Sequence, residues 1–332
     1  MSIPSLAHRL SLAPASVRVI FITVVLLSCS AAIAETPQSL DTLLSAHTRL
    51  LVFAPHPDDE TLGAGGLIQR TLGSGGVVPV VFLTSGDGYP EGVELEEHIA
   101  HPTAQDYRAY GTLRQEEARG VLVTLGVKEQ EVTFLGFPDR GLCPLLQQYW
   151  SDRGSHYVSP FTQESRPPPA DVLLPHTDYS GEDLTRELVR VLTMFRPTLI
   201  ALPHPADQHP DHCGTYFFVQ AALQEVNHRV PALHPQVLTF LIHFGQWPLG
   251  GGAGTGARLH PPHDFPEHES AWLSLPLSST EAENKRKARL RYHSQMVAMG
   301  RYLLSFARIN ELFLRDQQRT TEADEKARCC GK

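Results

Sequence analysis

Leu50-Leu51-Val52-Phe53-Ala54 is an unbroken apolar run, and Pro55-His56-Pro57-Asp58-Asp59-Glu60 follows it at once. A run this short, with no polar alternation, suits a strand covered on both faces. The arrangement returns later. Thr198-Leu199-Ile200-Ala201-Leu202 leads into Pro203-His204-Pro205-Ala206-Asp207-Gln208-His209-Pro210-Asp211-His212. Strands of this kind need helices above and below them, and the intervening chain supplies the pattern. A helix is expected from Glu60 to Leu72, stopped by Gly73-Ser74-Gly75-Gly76. A second apolar run, Val77 to Leu83, ends at Thr84-Ser85-Gly86-Asp87-Gly88. Asp106 to Leu125 reads as a helix with Gly126 as its stop, and Glu131 to Gly136 as a third strand. Strand and helix in alternation imply an α/β fold, Rossmann-like, with a mostly parallel sheet flanked by helices. Ligands in such sheets bind at the carboxyl ends of the strands, where both acid- and histidine-rich segments fall.

The rest is less regular. Pro138 to Tyr179, rich in Pro and aromatic residues, reads as a long ordered loop of the kind that often binds ligands. A helix from Glu182 to Phe195, a helix starting near His209, and a strand from Val237 to Phe244 are expected. Gly250 to Gly256 is a flexible loop, and Glu281 to Met296 a Lys/Arg-rich helix with a solvated face. The 332 residues, 42% of them hydrophobic, are ample for one sizeable core. A net charge of −8 gives no reason to expect a nucleic-acid partner.

Arg9 and Arg18 precede the apolar stretch Val19 to Leu27, and Ala32-Ile33-Ala34 has the form of a cleavage site. Residues 1–34 therefore read as a signal peptide, 35–313 as the folded domain and 314–332 as a polar, disordered tail. The expectation is an exported protein, periplasmic or secreted, acting on a cell-envelope or environmental substrate. The alternative is a lipoprotein anchored at Cys29, because Leu26-Leu27-Ser28-Cys29 resembles a lipoprotein box. The apolar run is too short for a stable membrane span. Cys143 and Cys213 could pair, whereas a bond between the adjacent Cys329 and Cys330 would be strained. None of the cysteine spacings is that of a zinc knuckle.

Read alone, Asp58-Asp59-Glu60 would be a helix start whose carboxylates cap free N–H groups. Two such clusters at the ends of two strands point elsewhere. A catalytic zinc site takes three ligands from His, Asp, Glu and Cys and leaves one position for water. Two histidines and one carboxylate meet that need, and a neighbouring carboxylate off the metal can take the water's proton. Asp58 and Asp59, side by side, allow that division. Gly63-Ala64-Gly65-Gly66 lacks the Lys-Ser/Thr of a phosphate loop, and helix–sheet packing explains its glycines better.

Ala54-Pro55-His56-Pro57-Asp58-Asp59-Glu60-Thr61-Leu62-Gly63 closely resembles the signature of the PIG-L/LmbE-like deacetylases, and His209-Pro210-Asp211-His212 is similar to their second motif. Arg114-Gln115-Glu116-Glu117-Ala118, Phe134-Leu135-Gly136-Phe137-Pro138-Asp139 and Lys285 to Gln295 resemble further stretches, so the likeness runs from Leu50 to Arg301. The resemblance implies an LmbE-like fold and one Zn2+ per chain, held by His56, Asp59 and His212. It implies Asp58 as the general base and His209 as an acid or a stabiliser of the tetrahedral intermediate. Arg114 matches a substrate-contacting arginine, and Asp211 is placed to orient His209 or His212 from behind. Some members carry a Tyr two residues before the first histidine of the second motif. Here that position is Asp207; Asp207, His204 and His243 are expected, with Arg114, to bind substrate, and His204 or His243 to stand in for the Tyr in polarising the carbonyl. The expected function is metal-dependent removal of an N-acetyl group from an amino sugar or glycoconjugate. The alternatives are another metal-dependent amidase or esterase on the same scaffold, or a non-catalytic carbohydrate-binding protein.

Overall fold

The computed structural model describes residues 40–151, 153–229, 231, 233–249, 256–316 and 329–330. The expected signal peptide, and Cys29 within it, lie outside the described residues. The strands are β1 (Leu50–Ala54), β2 (Val80–Thr84), β3 (Val132–Phe137), β4 (Leu199–Pro203), β5 (Gln236–Phe240), β6 (Trp272–Pro276) and β7 (Asn310–Arg315). They form one sheet in the order β3-β2-β1-β4-β5-β7-β6. β1 to β5 are parallel to their neighbours, and β7 and β6 extend the β5 edge antiparallel. The Rossmann-like α/β expectation is borne out. The sheet is mixed because of two strands that the sequence did not announce.

Alternation along β1 divides the core. Leu50, Val52 and Ala54 face one apolar cluster, with Leu62, Leu67, Val121 and Leu122 of α1 (Asp59–Gly73) and α3 (Ala104–Thr124). Leu51 and Phe53 face the other, with Leu188, Phe218 and Val219 of α5 (Gly181–Phe195) and α6 (Pro210–Arg229). Successive strand side chains point to opposite faces, so a strand covered on both must be apolar throughout. β1 pairs with β2 on one side and β4 on the other. The chain therefore switches direction of sheet growth at β1/β4, and the segments after these two strands flank the crevice where ligands bind.

α4 (Leu142–Gln147) lies in the stretch expected to be a loop, and α2 (Pro90–Glu97) in a polar stretch to which the sequence assigned no element. The expected helix from Glu281 to Met296 is two helices, α7 (Ser279–Arg289) and α8 (His293–Ser305). Its basic face is also not solvated throughout: Lys285 and Arg289 are buried. Lys285 Nζ donates to Leu62 O at 2.8 Å and to Glu311 Oε1 at 2.5 Å. Glu311 in turn accepts Gly66 N at 2.6 Å and Leu67 N at 2.9 Å. An ion pair thus enters the backbone ladder of α1. The glycines make room for it, since a Cβ on Gly66 would lie 2.3 Å from Leu277 and 3.0 Å from Glu311. Packing, as expected, is what Gly63 to Gly66 serve.

The tail boundary is corrected. Leu314 and Arg315 belong to β7, whose register with β5 and β6 needs them. Cys329 and Cys330 are covalently held: Cys143 bonds Cys330 and Cys213 bonds Cys329. The expected option of a Cys143–Cys213 bond is therefore not the one formed. Removing one partner of a buried ion pair leaves a charge without compensation. Glu311→Ala should cost about 3–5 kcal/mol of stability, read by urea unfolding, and a loss below ~1 kcal/mol would contradict the role given to this pair.

Candidate metal centre

β1 delivers Pro55 to Asp58 to the crevice, and α1 starts at Asp59. Asp58 is the residue before the helix, with φ 126° and no side-chain cap bond. A positive φ in a non-glycine residue is strained, and such strain collects at functional sites. Its consequence is directional: Asp58 is not the helix cap that its position suggested. Its backbone N–H donates to Glu60 Oε2 at 3.1 Å. Glu60, fully buried, also accepts Tyr292 OH at 2.5 Å and the Thr61 hydroxyl. The Asp58 carboxylate lines a cavity of about 200 Å³ together with His56, Asp59, Arg114, Asp139, His209 and His243.

One carboxylate oxygen stands between two imidazoles. Asp59 Oδ2 lies 3.1 Å from His56 Nδ1 and 3.2 Å from His212 Nε2. The other nitrogen of each ring faces a carboxylate. His56 Nε2 is 3.2 Å from Asp139 Oδ1 and 3.3 Å from Asp211 Oδ2. His212 Nδ1 is 3.3 Å from Asp207 Oδ2. Carboxylates behind ligating imidazoles orient the rings and raise their basicity. Both nitrogens of His212 are buried and neither is in hydrogen-bond geometry with any partner. A cation where the three groups meet would give Nε2 its missing partner, and the donor set of two imidazoles and a carboxylate suits zinc.

The electrostatics agree. Burial opposes charging of His212, but Asp207 and Asp59 outweigh it and raise the ring to about 10. Burial likewise opposes charge on His56, and Asp139, Asp211 and Asp59 overcome it. Asp59 is held well below the usual carboxylate range against its burial by His212 and His56. Excess buried negative charge of this kind calls for a cation. Asp58 goes the other way, pushed up to about 8 by burial and by the charge of Asp59, with Arg114 opposing.

The remaining residues divide. His209 stacks edge-on against His56 at 4.7 Å and lines the cavity. Its Nδ1 accepts Asp211 N at 3.2 Å, which leaves Nε2 as the N–H donor of a neutral ring. Burial, then the neighbouring His56, holds its pKa well below the usual value. His243 also lines the cavity, stacks on Tyr302 at 5.5 Å and is pulled down to about 4 by burial. Arg114 lines the cavity as well, but its NH1 and NH2 donate to Gly86 O and Pro57 O at 2.9 and 2.7 Å. Those bonds prop the loop that carries Asp58.

Two expectations about substrate contacts are corrected by this geometry. Asp207 does not line the cavity: its carboxylate accepts Ile242 N and His243 N at 2.9 and 3.0 Å and backs His212. His204 lines a separate cavity, packed against Phe265 at 5.2 Å. Asp211 orients His56 rather than His212 through its side chain, and touches His209 through its backbone N–H. Asp139, Glu60, Tyr292 and Tyr302 received no role from sequence. Asp139 was visible only as the end of the Phe134 to Asp139 stretch, since its contact with His56 depends on how β3 lies in the sheet.

The family model described as PIG-L, GlcNAc-PI de-N-acetylase, matches residues 51–223. This chain belongs to that family. Among its relatives is a 1D-myo-inositol 2-acetamido-2-deoxy-α-D-glucopyranoside deacetylase of Saccharopolyspora erythraea, 28% identical over 77% of this chain and 80% of that protein. A protein of the same name from a Mycobacterium species is also 28% identical, over 68% of this chain and 62% of its own length. The chain thus spans a little less than two thirds of that second relative. A solved structure, the N,N′-diacetylchitobiose deacetylase of Pyrococcus horikoshii, is similar with a TM-score of 0.49 and 18% identity, covering 80% of this chain and 83% of that one.

The PIG-L relatives also correct the expected localisation. Export was tied to a cell-envelope or environmental substrate. The curated relatives are instead named for one inositol glycoside. Neither export after cleavage of residues 1–34 nor anchoring at Cys29 is upheld. No helix among the described residues is long and apolar enough to cross a membrane. Asp207→Asn should weaken Zn2+ binding roughly 10–100-fold by chelator competition, while His204→Ala leaves it unchanged; equal losses in both would refute the separation of the two residues.

Proposed function

We propose that this PIG-L protein is a zinc-dependent N-deacetylase that releases acetate from an N-acetylated amino sugar in glycosidic or other conjugate linkage. The observation that carries the reading is that Asp59 Oδ2 stands between His56 Nδ1 and His212 Nε2, with His56 and Asp59 lining a cavity that also holds a second carboxylate, Asp58. The names of the relatives support the acetamide as the bond attacked.

His56, Asp59 and His212 would hold the metal. When bound, it supplies Lewis acidity and lowers the pKa of water. Asp58 accepts the proton of the attacking water. Burial and the charge of Asp59 raise its proton affinity, so that it retains the proton taken from water until it passes it to the departing amine. The strained backbone at Asp58 turns its carboxylate into the cavity instead of onto the helix end, and Arg114 holds the loop beneath. His209, neutral and with Nε2–H free to donate, stabilises the negative oxygen that develops on the carbonyl. A fixed tautomer matters here, because the donor is in place before the charge appears. His243, backed by Tyr302, is the second group at the cavity able to contact that oxygen. Leu62, Ile242 and Met299 also line the cavity and exclude water from the reacting carbonyl.

Zn2+-loaded protein should release acetate from acetylated amino-sugar glycosides, in a screen that also carries ester and glycosyl substrates. Turnover confined to esters, or none with zinc demonstrably bound, would overturn the reading. Asp58→Asn should lower kcat by about 10²–10⁴ with zinc content unchanged. Unchanged turnover would remove Asp58 from the mechanism.

A further inference from the structure

Four cysteine sulfurs gather beneath the His209-Pro210-Asp211-His212 turn. Cys143, second residue of α4, bonds Cys330, and Cys213, in the first turn of α6, bonds Cys329. Their Cα separations, 5.4 and 5.8 Å, are ordinary for disulfides. The Sγ atoms of Cys143 and Cys329 are 3.9 Å apart, and those of Cys329 and Cys330 3.6 Å. Cys143 Sγ lies 3.5 Å and Cys213 Sγ 3.6 Å from the same carbonyl, Pro210 O, inside the motif itself. Cys143, Cys213 and Cys329 are buried.

The covalent path runs Cys143–Cys330–Cys329–Cys213. The dipeptide is therefore a crosslink between α4 and the start of α6. What these two segments share is Asp211. Its Oδ1 accepts Leu142 N at 3.1 Å and its Oδ2 accepts Arg140 N at 2.6 Å, while Oδ2 also faces His56 Nε2. Leu142 adjoins Cys143, and Asp211 lies two residues before Cys213. Each crosslink end thus sits within two residues of a group that sets the Asp211 carboxylate, and that carboxylate orients His56.

We propose that Cys329 and Cys330 are positioning residues: as a disulfide clasp they lock α4 to α6 and so hold Asp211 behind His56, making the metal centre responsive to thiol reductants. The proposal rests on the metal-site reading above. In reduction, each S–S bond takes two electrons and two protons from a dithiol, which leaves as its cyclic disulfide. Two such exchanges yield four thiols on the protein. Cys143 and Cys213 would then stay beside Pro210 O without a link between them, and α4 could part from α6.

The test uses the full chain, oxidised or dithiol-reduced and then freed of reductant under anaerobic conditions. Peptide mapping of the oxidised form should find Cys143–Cys330 and Cys213–Cys329. On reduction, the Arg140 and Leu142 amides should exchange hydrogen at least about tenfold faster, and Zn2+ affinity by chelator competition should fall roughly tenfold. Reoxidation should restore both. The Cys329→Ser/Cys330→Ser variant should match the reduced chain with or without reductant; if it does not fold, the two redox forms of the unaltered chain decide. Unchanged amide exchange on reduction, four free thiols in the oxidised preparation, a Cys143–Cys213 bond, or a second zinc held by the thiolates would each overturn the clasp. Loss of zinc binding in both redox forms, with the exchange difference intact, would instead count against the metal-site reading and leave the clasp supported.

Discussion

One carboxylate oxygen organises this molecule. Asp59 Oδ2 meets a ring nitrogen of His56 from its own turn and one of His212 from a segment over 150 residues further along. The sheet makes that meeting possible, because β1 and β4 are neighbours and the chain reverses its direction of growth between them. Everything nearby compensates for placing so many acids and imidazoles out of water. Asp139 and Asp211 stand behind His56, Asp207 behind His212, and backbone N–H groups from Arg140, Leu142, Ile242 and His243 feed those carboxylates. An isolated buried charge would be expensive; a set of paired acids and imidazoles, backed by backbone N–H groups and with room for a cation, is not.

The same accounting explains the middle of α1. The helix that carries Asp59 is crossed further on by Lys285 and Glu311, which take over backbone groups of Leu62, Gly66 and Leu67. Glycines at that point admit the pair, and the pair ties α1 to α7 and β7. Glu60 and Tyr292 add a second tie between α1 and the segment joining α7 and α8, placed directly under Asp58. The strained backbone of Asp58 is therefore supported from below by elements close to the C-terminus. Family membership and site geometry agree on a hydrolytic centre, and the histidines facing Asp59, set against the burial of Asp58 beside that charge, are what separate two adjacent, chemically identical carboxylates.

Much of this was legible without coordinates. The strands β1 to β4 announced themselves because a strand covered on both faces has to be apolar at every position. The helices α1, α3 and α5 did so through capping and stop signals, and the proposed ligand trio came from two motifs and their resemblance to one family. β6 and β7 were not legible: they extend the sheet antiparallel beyond β5, and they carry polar residues such as Ser274, Asn310 and Glu311 whose partners are distant in sequence. Lys285 was misread for the same reason. A lysine in a basic helix looks solvated until the acid that neutralises it arrives from another element.

The sequence by itself determined the chemistry available: two strand-end clusters, their order along the chain, and two adjacent aspartates at the first of them. These follow from local rules of periodicity, turns and donor type. Tertiary structure alone decided which nitrogen of each histidine faces inward, that Asp207 backs a ligand instead of meeting substrate, that His204 belongs to another cavity, and that the last cysteines bond to α4 and α6 rather than to each other. Each of those depends on where a residue from a different strand or helix comes to rest, and no local pattern encodes that distance.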